Sequence, residues 1–137
     1  ARMNNLENGL DAVDTRLDDL ETGWINYTEN STIVGWSSFT TKTIRCKKIG
    51  NMLFVIWNLT GTSNATTTSF TLPFTKASGI NVTVPIQVID NGTIQQGMAQ
   101  MASGATNTVL LFPTLAAGTW TASGTKSAAG QLWCLLP

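Results

Sequence analysis

The sequence predicts an all-β head, an antiparallel β-sandwich of jelly-roll type, carried on a short N-terminal α-helical coiled coil as a parallel homotrimer. Three observations predict it: a strict heptad repeat confined to residues 1–24, a series of short strand-like segments over residues 25–137, and strands that are apolar on both faces. Charge divides the chain at the same place. Residues 1–24 hold two basic and six acidic side chains, a net −4, while residues 25–137 hold six basic and two acidic, a net +4. A chain of 137 residues supports one full core and an appendage, so these compositions read as a stalk over 1–24 and a head over 25–137.

In the stalk, apolar residues recur at Met3, Leu6, Leu10, Val13, Leu17, Leu20 and Trp24, with alternating gaps of three and four. That spacing puts Met3, Leu10, Leu17 and Trp24 at a, and Leu6, Val13 and Leu20 at d. Polar residues fill nearly all the positions between, so the seam is narrower than the face of a helix packed on its own domain. Arg16 at g is placed to reach Glu21 at e of a neighbouring helix. Leu at a with Val at one d position departs from the two-stranded preference and favours three or more strands. Gly9 inside the repeat costs about 1 kcal/mol relative to Ala, and Gly23 ends the helix. Three heptads are marginal alone, so the head is expected to supply much of the association energy.

Beyond Trp24 the helical period gives way to Thr, Ser, Gly and Asn punctuating short β-branched and aromatic runs. Strands are expected over 32–36, 41–48, 52–60, 69–73, 81–89, 93–100, 108–113, 119–123 and 131–136. Asn91-Gly92 between two alternating runs predicts a tight hairpin turn, because both residues tolerate positive φ. Many short strands without a second helix indicate a sandwich or jelly roll. The runs 52–57, 109–112 and 132–136 are apolar on both faces, whereas a sheet of a sandwich normally turns one polar face to water. Such strands need a second cover, supplied by neighbouring subunits about a symmetry axis, unless they are central strands of a larger single sheet. Trp57 and Trp133 lie on them and read as interface or core, which makes them the candidate residues of that head interface.

Catalytic chemistry is hard to find. The absence of His removes the commonest general base, the Ser–His and Cys–His pairs and imidazole ligands. Cys46 and Cys134 are too few for a zinc site; a disulfide between them and two free thiols are both open. Glu29 and Asp90 are the head's carboxylates, and Asp90 falls in a turn, where Asp serves the backbone. Gly61-Thr62-Ser63 lacks the Lys and the following helix of a phosphate loop. No catalytic residue, metal site or cofactor is expected, and the chain is read as non-enzymatic. Lys42, Arg45, Lys47 and Lys48 read as the solvated face of an edge strand, not a nucleic-acid site. No apolar run reaches the roughly 18–20 residues that span a bilayer, so no membrane insertion is expected. Six Asn-x-Ser/Thr triplets, at Asn26, Asn30, Asn58, Asn64, Asn81 and Asn91, are read as β-head composition, with Asn58 placed in a core strand.

The order of local patterns is similar to something known. A heptad stalk leads into Asn30-Ser31-Thr32-Ile33-Val34-Gly35-Trp36, then Lys48-Ile49-Gly50-Asn51-Met52-Leu53-Phe54-Val55, Gly61-Thr62-Ser63-Asn64 and Phe70-Thr71-Leu72-Pro73-Phe74. Trp120-Thr121-Ala122-Ser123-Gly124-Thr125-Lys126 and a last apolar strand close the chain. This resembles the C-terminal head domains of tailed-bacteriophage tail fibres and receptor-binding proteins, over nearly the whole chain. The resemblance implies a homotrimer at the tip of a virion fibre, joined to an upstream shaft and binding a host-surface receptor, a glycan or a protein. It assigns no receptor-binding residue. Trp36, Trp120, Asn64 and Asn91, beside turns or at strand ends, are the candidates, with core packing the competing role for both tryptophans. Loops far from the stalk are the natural binding region, and the stretches 64–68, 76–79, 91–96 and 103–107 are expected to contribute. Two other readings share the design: an architectural tip that binds only its own copies, and a secreted trimeric signalling or complement-like head.

Overall fold

The computed structural model describes residues 2–21 and 23–137; the side chains of residues 2, 15, 16 and 18–21 lie outside that description. Helix α1 spans Arg2–Glu21. Its seam residues Met3, Leu6, Leu10, Val13 and Leu17 are all exposed, from 75% at Met3 to 47% at Leu17. A single copy of the chain therefore leaves the seam uncovered. Leu20 and the expected Arg16–Glu21 pair fall among the side chains not described.

Nine strands follow: β1 (Ile25–Asn26), β2 (Ile33–Val34), β3 (Trp36–Ile49), β4 (Met52–Ser63), β5 (Ser69–Lys76), β6 (Val82–Asp90), β7 (Thr93–Met101), β8 (Thr106–Phe112) and β9 (Thr125–Leu135). They form one sheet in the order β1-β3-β4-β9-β6-β7-β8-β5-β2, every pairing antiparallel. The all-β antiparallel class with one N-terminal helix is as the sequence predicts. The strands make one continuous curled sheet, however, where a sandwich implies two. Gly35 alone separates β2, at one edge, from β3, next to the other, so the sheet must curl until its ends meet. That step needs glycine: φ is +111°, and a Cβ would sit 2.6 Å from Thr68 Oγ1.

Inside the curl the alternating residues make one core. Leu53, Val55, Trp57 and Leu59 of β4 face Ile44 and Cys46 of β3, Leu132 and Cys134 of β9, and Phe70 and Leu72 of β5. Cys46 lies opposite Val55 and Cys134 opposite Leu53, so β4 runs between the cysteines. Both are free thiols, and burial pushes each thiol pKa up.

Sequence and structure part company at several places. Strand 119–123 does not form; those residues belong to a loop that runs from 113 to 124. β9 begins at Thr125, six residues before the expected start, because Ala128 and Gly130 are small enough to pack against their neighbours without any apolar periodicity. The two-residue β1 carries no pattern and was not expected. Asn58 sits on the outer face and is exposed, as are the other five Asn-x-Ser/Thr asparagines. The Asn91-Gly92 turn forms as expected, with φ of 49° and 83°.

Candidate functional site

Strand directions give the head two ends. Ile25 pairs with Cys46, so the chain joins the sheet beside the β3–β4 turn; this is the stem end. The 50–51 turn and the loops 77–81 and 102–105 also lie here, tied by Gly79 N–H to Ser103 O (2.7 Å), Ala77 N–H to Leu135 O (2.8 Å) and Leu136 N–H to Asn51 O (2.7 Å). At the far end gather the Gly35 step, the loop 64–68, the Asn91-Gly92 turn and the loop 113–124. Two of the four stretches expected at the far end, 76–79 and 103–107, therefore lie at the stem end. The loop 113–124 takes their place at the far end; its Trp-Thr-Ala-Ser run reads as a strand and hid it.

The far end is organised from inside by Lys126. This side chain is fully buried, and its Nζ donates to Gly35 O (3.0 Å), Ala65 O (3.0 Å) and Thr68 Oγ1 (2.9 Å). Those acceptors use all three ammonium protons. The Trp36 and Trp120 ring centroids lie 5.4 and 4.8 Å from Nζ, within cation–π range. Burial lowers the Lys126 pKa to about 8, opposed by the charge of Asp90. One buried cation thus joins the Gly35 step, the 64–68 loop and the 113–124 loop.

Further bonds close the cluster. The Asp90 carboxylate accepts from Thr121 N–H (3.0 Å) and Thr121 Oγ1 (3.1 Å), and Ser63 Oγ donates to Thr121 O (2.6 Å). Trp120 N–H donates to Thr66 O (3.0 Å). Trp36 Nε1 donates to Lys126 O (3.3 Å) and Trp120 Nε1 to Leu111 O (2.8 Å). Both candidate receptor tryptophans are thereby spent inside: Trp36 is 7% exposed and Trp120 2%. Neither offers a ring face to a ligand. Asn64 and Asn91 are exposed at the far end.

The stem end differs in kind. The outer side of β4 and β9 carries Phe54, Ile56, Trp133 and Leu135, with Phe54 directly opposite Trp133. Trp133 is 55% exposed, and with Trp24, Phe54, Ile56 and Val84 it lines a groove of about 460 Å³. The groove opens where the paired register of β6 and β9, which runs from Asp90–Lys126 to Gln87–Ala129, gives out. Trp57, the other candidate interface residue, lies in the core with its ring centroid 5.3 Å from that of Phe70, because its β4 position faces inward. The basic cluster also splits: Arg45 and Lys47 lie opposite the outward Ile56 and Phe54, while Lys48 lies opposite the buried Leu53, its Nζ 5.6 Å from the Phe74 centroid. No helix among the described residues is long and apolar enough to cross a membrane.

No family model matches the chain, and no curated protein matches it in sequence. A partial likeness exists among solved structures. The reovirus attachment protein sigma1, in complex with alpha-2,3-sialyllactose, overlaps at a TM-score of 0.42 with 14% identity, over 77% of this chain and 66% of that one. So loose an overlap transfers no function.

Proposed function

We propose that this chain is the non-enzymatic adhesion head of a virion fibre of the tailed-bacteriophage type. Residues 1–24 form a parallel trimeric coil joined to an upstream shaft, and residues 25–137 form the head at the fibre tip. The far-end loops, including Asn64 and Asn91, bind a host-surface receptor, a glycan by preference. Three equivalent sites turn weak single contacts into firm attachment.

One observation carries the reading: the apolar surface left bare in a single copy is continuous in kind from the coil seam to the stem end. Met3 to Leu17 on α1, Trp24, and Phe54, Ile56, Trp133 and Leu135 on the sheet are together far more than scattered surface residues. A three-fold axis through the seam would cover both sets and leave the far-end loops facing outward. Light scattering of the purified chain should give three times 14.7 kDa at micromolar concentration. Monomers, or intact trimers that bind neither a glycan array nor host cells, would count against it.

The burial of Trp36 and Trp120 favours a second reading, an architectural tip that grips only its own copies. Trimers that bind nothing, in fibres that still need the head to assemble, would select it.

A further inference from the structure

Charge on the head is distributed unevenly. Residues 49–75 and 91–125 contain no Asp, Glu, Lys or Arg, so the far end holds only Asp90 and the buried Lys126. The exposed cations sit on β3, and β4 and β9 separate β3 from β6. Three strand spacings amount to roughly 14 Å. A ligand on the outer side of β6 or β7 therefore meets amides, hydroxyls and apolar carbon.

The outer side of the β6–β7 hairpin forms a groove of about 440 Å³ lined by Pro85, Ile86, Gln87, Ile94, Gln95 and Gln96. Gln87 and Gln96 are directly opposite each other, and Ile94 lies one outward step nearer the Asn91-Gly92 turn. Ile94 is 65% exposed. Among the described residues the outward side-chain amides of Gln87 and Gln96 make no hydrogen bond within the chain. Each amide offers two donors and an acceptor with two lone pairs.

The geometry points to this groove as the receptor subsite of the adhesion head proposed above, and to an uncharged pyranose oligosaccharide as its ligand. Sugar hydroxyls are both donors and acceptors, which matches amides better than ammonium or carboxylate groups. The C–H faces of successive rings pack on Ile94 and on Pro85, which lies about 13 Å further along β6. An acidic sugar would surrender part of its hydration without gaining a cation.

The test uses the intact oligomer on immobilised lactose, maltotriose and N,N′-diacetylchitobiose, beside 3′-sialyllactose and a heparin tetrasaccharide. Host cells are assayed in parallel. At least one neutral sugar should bind, with affinity changing less than twofold between 50 and 500 mM NaCl. Gln87→Ala with Gln96→Ala should lower that affinity about tenfold while leaving the melting temperature and oligomeric mass unchanged. Ile94→Ser should reproduce the loss independently. Retention of the acidic sugars alone, a steep fall with salt, or sugar or cell binding that the glutamine variant leaves intact would overturn the inference and leave adhesion standing. Failure to bind any sugar or any cell would sink adhesion itself, and this inference with it.

Discussion

The two ends of the head solve opposite problems with similar strands. At the stem end, alternation fails on the outside: the half-buried Phe54 and the exposed Ile56, Trp133 and Leu135 face away from the core. At the far end the same two strands turn outward Asn58, Thr60 and Thr62 on β4, and Ser127 and Thr125 on β9. The far end hides its unusual chemistry inside, where Lys126 ties three segments. One end thus leaves apolar surface uncovered in a single copy, while the other is complete within it.

Disrupting the stem end should abolish assembly and spare the fold. Leu10→Asn and Leu17→Asn, combined with Trp133→Ser, remove two seam residues and the most exposed large side chain of the belt. Light scattering should then give a species near 14.7 kDa, with strand content unchanged by circular dichroism. A folded trimer surviving all three changes would break the comparison, because the bare apolar surface would have no role.

Disrupting the far end should do the reverse. Lys126→Ala leaves Gly35 O, Ala65 O and Thr68 Oγ1 without their donor and opens space between Trp36 and Trp120. Leaving buried acceptors unpaired costs roughly 3 kcal/mol or more in total, read as a lower midpoint in urea. The effect should be the same in trimers and in the stem-end variant, since the cluster is complete within one chain.

How much of this was legible beforehand follows from the same contrast. The heptad seam and the two-faced strands declare themselves through periodicity, a property of side chains read one by one. The Asn91-Gly92 turn was legible because its conformation is dictated by two adjacent residues. Lys126 was not legible: in sequence it is one lysine in Gly-Thr-Lys-Ser, and its significance comes from acceptors at residues 35, 65 and 68. Trp36 and Trp120 were legible in part: their sequence positions admit core packing, but the carbonyls of Lys126 and Leu111 that hold their indole N–H groups come only from the fold. Trp57 was left between core and interface for a simpler reason. On a strand apolar on both faces, only the register tells which face is the interior.

A smaller effect separates the buried cation's charge from its packing. The Lys126 pKa is lowered from 10.5 to about 8 in the folded chain. Between those values the unfolded chain holds a proton that the folded chain has released, so stability rises with pH across that window. Below about pH 8 both states are protonated, and the desolvation penalty is constant. From pH 7 to pH 9 the gain should be about 1 kcal/mol, measured by urea unfolding as the difference from Lys126→Met. A parallel response of the two proteins would mean that burial does not set the charge of this lysine.

Lys42 provides the smallest effect and the sharpest control. It too is a head lysine with an oxygen partner and an aromatic neighbour: its Nζ lies 3.1 Å from Glu29 Oε2 and 5.9 Å from the Phe39 centroid. What differs is water. The Lys42 side chain is 30% exposed and that of Glu29 81%, so solvent screens the pair and can replace either partner. Lys42→Ala should cost no more than about 0.5 kcal/mol, and added salt should shrink even that. If Lys42→Ala and Lys126→Ala destabilised the head equally, burial would not be what gives the far-end lysine its strength, and the contrast between the two ends would reduce to a difference in surface composition.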